Sequence, residues 1–241
     1  MSLWLSSVGS SRIGISAATT SKRVIAHAGE ILHQRYDARQ TWLTGGRNVR
    51  KIIAAIGFRA KTGKAIAVAV TDRHAPEFVE RWYLDLVDPN VPETGQPHHR
   101  VMELPWPKAL LAVREYEKLV EDIATERLRG LLEELRSRSV EVRAIAVVGS
   151  ADRELQKIGN PHIRAHAAEG ILFRRAIEVA AVRCDVTSRQ FSDRDFDETA
   201  AKELRRDVAD VKAIVTTIGQ SAGRPWRADE RAAATAAWIV A

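Results

Sequence analysis

The sequence predicts an α/β fold from about Lys51 to the C-terminus, and three observations carry that prediction. Short β-rich apolar runs come first, then a long stretch with helical spacing, then strands and helices in alternation. A hydrophobic content of 45% over 241 residues is enough for one large domain with a buried core.

The segment before this domain, residues 1–50, has a different character. No acidic residue precedes Glu30, while Ser2, Ser6, Ser7, Ser10 and Ser11 are mixed with small residues and with Arg12, Lys22 and Arg23. Such a composition is read as a leader, partly disordered, with transit-peptide-like bias as the alternative. A short helix is expected at Val24 to Tyr36, and Thr44-Gly45-Gly46-Arg47 reads as a linker.

Within the domain, Lys51 to Gly57 and Lys64 to Thr71 read as strands, joined by a glycine-containing turn at Arg59-Ala60-Lys61-Thr62-Gly63. A third strand is expected at Glu80 to Val87, where Trp82, Leu84 and Leu86 alternate with Arg81, Tyr83 and Asp85. The prolines between Asp88 and Pro107 predict a long, exposed loop. From about Lys108 to Arg138 the apolar residues Ala112, Tyr116, Leu119, Ile123, Leu128, Leu131 and Leu135 predict an amphipathic helix, broken or bent at most near Gly130.

Glu141 to Gly149 is apolar on both faces and is expected in the sheet centre. Asn160-Pro161 caps and opens a helix to about Val182, because Asn accepts from free amides and Pro gives up no helical hydrogen bond there. A strand at Cys184 to Phe191 follows, then a helix from Asp197 to Ile218 ended by Gly219, and a last helix from Arg227 to Val240.

That order, with Ile56-Gly57-Phe58-Arg59-Ala60-Lys61-Thr62-Gly63 at its start and Asp229-Glu230 in its last helix, resembles the ribonuclease H-like fold. The likeness is to its Holliday-junction-resolvase branch, and it implies a mixed sheet with helices on both faces. In active members an aspartate ends the first strand and helps hold two divalent cations on the phosphodiester. Arg59 occupies that position, and a guanidinium repels a metal ion where a carboxylate would ligate it.

The resemblance therefore implies a nucleic-acid binder or phosphate binder with weakened or absent nuclease activity. Its expected phosphate-binding residues are Arg59, Asn160, His162, Arg164 and His166, the last four clustered where a helix follows the central strand. One alternative is an active phosphodiesterase using Mg²⁺ or Mn²⁺ on a rearranged carboxylate site of Asp152, Asp229 and Glu115. A second is a scaffold that acts through protein contacts alone.

His162, His166 and Glu169 share one helix face at metal-binding spacing, but the plain reading is a polar helix start, and no metal ligands are assigned. Arg224-Pro225-Trp226-Arg227 suits base stacking, against the plainer reading of a Trp packing the last helix.

The net charge of +6 fits a polyanionic partner. Charge interrupts every apolar run before it reaches membrane-spanning length, and the single Cys184 reads as an inert thiol in a reducing, cytoplasmic setting.

Overall fold

The computed structural model describes residues 51–241, and the leader, helix and linker expected before Lys51 lie outside the described residues. Five strands form one sheet: β1 Ile52–Lys61, β2 Lys64–Thr71, β3 Phe78–Asp85, β4 Val140–Gly149 and β5 Thr187–Ser192. Their order is β3-β2-β1-β4-β5, and β2 alone runs against the rest. This is a mixed sheet in an α/β fold with helices on both faces, in the order expected from sequence.

The helices are α1 Pro97–Arg100, α2 Trp106–Ser137, α3 Pro161–Arg183, α4 Phe196–Leu204, α5 Val208–Ala222 and α6 Ala228–Val240. Side chains alternate across the sheet, so each strand feeds two cores. Ile56, Phe58, Ile145 and Val147 pack under α2 and α3 with Leu128, Leu135 and Phe173. Val68, Val70, Ala146 and Val148 pack on the other face with Val215, Ile218 and the α6 residues Ala233, Ala237 and Trp238.

Gly57 decides how close α6 comes. A Cβ there would collide with the Ala233 carbonyl and the Ala237 amide, so only glycine lets the helix backbone rest on the centre of β1. Every second residue of β1 shares this face, which turns Arg59 and Lys61 toward the start of α6.

Several expectations differ from the structure in instructive ways. β1 runs on to Lys61, because pairing with β2 continues to Lys61 opposite Lys64 and the turn is only Thr62-Gly63, with Gly63 at φ 73°. The long helix passes Gly130 without a break, since tertiary packing of its apolar stripe outweighs one glycine.

The helix expected from Asp197 to Ile218 is two helices, separated where Arg205 adopts a left-handed φ of 53°. Gly219 does not end the second. It lies inside α5, where a Cβ would strike the Trp226 ring. Trp226 donates from Nε1 to the Val215 carbonyl at 3.1 Å and meets Phe78 edge-on, which is the packing role rather than base stacking.

The proline-rich stretch departs furthest from expectation. It folds as a 3₁₀ turn, Pro92–Gly95, and the short helix α1, with Thr94, Pro97 and His98 buried. Thr94 Oγ1 accepts from the Asp88 amide at 2.9 Å, so a side chain satisfies backbone that the prolines leave without a ladder. Among the described residues, no helix is long and apolar enough to cross a membrane.

Candidate functional site

In sheets with adjacent parallel strands, ligands gather at the carboxyl ends of those strands. Here that place lies beyond β1, β4 and β5, and it is built around Arg59. The guanidinium Nη2 donates to Asp193 Oδ2 at 3.1 Å, Nε lies 3.5 Å from Asp229 Oδ1, and Nη1 reaches the Val148 carbonyl at 3.4 Å. Lys61 Nζ donates to the other Asp229 oxygen at 3.0 Å.

Each partner arrives from a different element. Asp193 follows the last residue of β5, its amide bonded to the Gly149 carbonyl at 3.0 Å. Asp229 lies in the first turn of α6, where a carboxylate is favoured by the helix dipole. Its neighbour Glu230 turns inward, accepting from the Arg227 amide at 2.8 Å and from the Tyr83 hydroxyl at 2.8 Å. Burial, followed by that bond to Glu230, holds the Tyr83 hydroxyl above its ordinary acidity range.

Two carboxylates from separate elements thus converge on one cation, and the cation is a side chain. Arg59 keeps only 18% of its side chain exposed, so the pairing is partly desolvated and less screened than a surface bridge. Beside it runs a cleft of about 360 Å³ whose lining includes Lys61, Lys64, Tyr83, Arg227 and Asp229.

The three carboxylates considered for a rearranged metal site are not brought together. Asp152 is bonded to Arg174, a buried guanidinium on α3 that also donates to Glu178 at 2.6 Å. Glu115 is exposed on α2, in the layer opposite to α6 and Asp229. The anticipated phosphate ligands divide likewise. Arg59 belongs to the α6 side, whereas Asn160, His162, Arg164 and His166 lie on the first turns of α3.

There Asn160 Oδ1 accepts from the Ile163 amide at 3.0 Å, the helix cap anticipated from sequence. Arg164 donates to the Ile158 carbonyl at 3.1 Å and lies 5.2 Å over the Trp106 ring. His162 and His166 are exposed and meet a residue that the sequence reading passed over, His99 of α1. Ring centroids are 4.4 Å apart for His99 and His166, 4.4 Å for His162 and His166, and 5.3 Å for His99 and His162.

Glu169, one turn further along α3, does not share their exposed face. It is fully buried, and its Oε1 accepts from the His98 amide at 2.8 Å and the His99 amide at 3.3 Å, with His99 Nδ1 at 3.4 Å. Burial raises its carboxyl to about 7, against the lowering effect of those amides and His98. Burial also lowers the basicity of His99, with His166 and His162 adding to the effect.

No family model matches the chain, and no curated protein matches it. Among solved structures it is similar to the T. thermophilus RuvC in complex with Holliday junction substrate, at 14% identity and a TM-score of 0.44, covering 78% of this chain and 91% of that one. A second Thermus thermophilus RuvC structure aligns at 14% identity and a TM-score of 0.42, covering 78% and 92%.

Asp193 and His99 were both missed, and both left a signal. Asp193 stands in Ser192-Asp193-Arg194-Asp195 directly after a parallel strand, where a loop acid is well placed to meet a ligand. The signal of His99 was the pair His98-His99 itself, which stands in the proline-rich stretch that reads as an exposed loop.

Proposed function

We propose that the protein binds nucleic acid, or another phosphate-bearing partner, at the carboxyl ends of β1, β4 and β5, and that it does not hydrolyse it there. The observation that carries this reading is the Arg59 guanidinium between Asp193 and Asp229. A phosphodiesterase of the two-metal kind needs carboxylates free to hold Mg²⁺ or Mn²⁺ against the attacking and leaving oxygens. In this site the two carboxylates are paired with two side-chain cations, Arg59 and Lys61, which bring no bound water and have no coordination position open for one.

Binding is supported by what surrounds the pair. Lys61, Lys64 and Arg227 line the adjoining cleft, and Tyr83, 55% exposed, offers an aromatic ring beside them. Cations that track a backbone, with an aromatic side chain for a base to stack on, suit single-stranded or distorted nucleic acid. The net charge of +6 acts in the same direction. A rearranged carboxylate centre is disfavoured because Asp152 is engaged by Arg174 and Glu115 lies in the other helix layer.

The test is binding and cleavage of labelled single-stranded, duplex and branched DNA and RNA over a salt series, with Mg²⁺, Mn²⁺ or chelator. The reading expects binding without cleavage, indifferent to chelator. A partner held through about four phosphates loses roughly a hundredfold in affinity over a fourfold rise in salt. Mn²⁺-dependent cleavage that disappears in Asp229→Asn would overturn it, and salt-insensitive binding of a protein partner alone would favour the scaffold.

A further inference from the structure

We infer that His99, His162 and His166 form a binding site for a zinc-class divalent cation, with Glu169 as the carboxylate that orients His99. One ring nitrogen from each of the three lies within 4.8 Å of the other two, and among the described residues no other group of three potential ligands comes together. This site does not depend on the proposed nucleic-acid binding.

The donor set selects the metal. Three imidazoles and no oxygen ligand suit zinc, copper or nickel and are poor for Mg²⁺ or Ca²⁺. His162 and His166 are one helical turn apart on α3, so the helix fixes their spacing, and α1 supplies the third ligand from outside it. Tetrahedral zinc with bonds of about 2.0–2.1 Å needs its nitrogens roughly 3.4 Å apart. Small rotations of the two exposed rings close that gap.

The second observation is the buried part of the site. His99 Nδ1 faces Glu169 Oε1, which leaves Nε2 as the free ring nitrogen, and Nε2 is buried with no hydrogen-bond partner among the described residues. A buried lone pair without a partner is costly. A carboxylate, a histidine and then a metal is the usual sequence by which a ligand ring is fixed.

The same arrangement explains why a carboxyl group is fully buried on α3. A dication bound at His99 would supply positive charge beside a carboxyl whose contacts are two backbone amides and the His99 ring. The positive end of the α3 dipole opposes a cation at its first turns, an effect that water and salt weaken at the two exposed rings. The guanidinium of Arg164 is turned away toward Ile158 and Trp106.

Three protein ligands and an exposed side leave a fourth position for water or a ligand oxygen, the form of an open rather than a purely structural zinc site.

The test uses untagged, full-length protein stripped with chelator and titrated with zinc chloride by calorimetry, with Co²⁺ absorption as a second readout. The expected result is one zinc per chain and the visible spectrum of four-coordinate Co²⁺. His162→Ala and His166→Ala, both exposed and tolerable to the fold, should each weaken zinc at least about tenfold. Glu169→Gln should weaken it by roughly ten- to a hundredfold with the stoichiometry kept.

His74→Ala, a histidine outside the cluster, should change nothing. Absence of a saturable single equivalent overturns the inference, as does zinc affinity that is the same in wild type, His162→Ala and His166→Ala.

Discussion

Two polar centres lie on opposite faces of one sheet, and they treat positive charge in opposite ways. At the end of β1, two carboxylates are balanced by two cations that belong to the chain, Arg59 and Lys61. Where α1 meets α3, three imidazoles and a buried carboxylate face a place to which no side-chain cation is paired among the described residues. The first centre is electrostatically complete and the second is not. Resemblance to a fold directs attention to the first, whereas unsatisfied chemistry directs it to the second.

The largest expected effect comes from Gly57→Ala. The new methyl would force α6 off β1, separating Asp229 from Arg59, and the expected cost is roughly 3 kcal/mol or more of unfolding free energy. Denaturant melts measure this, and a loss under about 1 kcal/mol would show that α6 is not seated on β1 as described.

Next is Arg59→Asp, which replaces the guanidinium with a third carboxylate beside Asp193 and Asp229. The variant should be destabilised without divalent cations and stabilised by Mn²⁺, about 2.7 kcal/mol at a hundredfold excess over the dissociation constant. Wild-type protein should show no such Mn²⁺ response at this centre. Equal responses in the two proteins would mean that Arg59 does not occupy a cation position.

On the other face, Glu169→Gln separates the buried acid from its neighbours in metal-free protein. A carboxyl raised to about 7 in the folded state, above its ordinary 4.5, binds more protons folded than unfolded between those values. Its contribution to stability is therefore full below about pH 4.5 and is lost as pH rises toward 7. His99 works in the other direction, since its lowered basicity makes stability rise through the ordinary imidazole range. The variant should lose only the first trend, so its stability relative to wild type should improve from pH 4.5 to 7. A constant difference across that window would contradict the assignment.

The smallest effects belong to the acids that the fold leaves outside both centres. Glu115→Gln, on an exposed helix surface, should change stability by no more than about 0.5 kcal/mol and leave nucleic-acid binding unaltered. Asp152→Asn should cost more than Glu115→Gln, because its partner Arg174 is buried and would keep only Glu178 as a charged partner. A large loss from Glu115→Gln would bring α2 back into consideration as part of the site.

Most of the sheet was legible because the signals were local. The apolar run of β4, the alternation in β3 and the Asn160-Pro161 cap each follow from neighbouring residues. The site was less legible because its members come from distant segments. Arg59 was conspicuous by its place in the first strand, but nothing near it in sequence announces Asp193, 134 residues away. Likewise the spacing of His162 and His166 was visible, while His99 is joined to them only when α1 folds onto α3. Prolines were read as a sign of exposure, yet Pro97 opens a helix whose next residue is buried.

The account is tested most directly by crystals of the full chain soaked in Mn²⁺ or Zn²⁺, with anomalous scattering recorded at each metal's absorption edge. The expected maps hold a zinc peak among His99, His162 and His166 and no manganese peak between Asp193 and Asp229, where Arg59 remains in place. A manganese ion bridging Asp193 and Asp229 with Arg59 swung aside would contradict it and restore the sheet end as a metal-dependent nuclease centre.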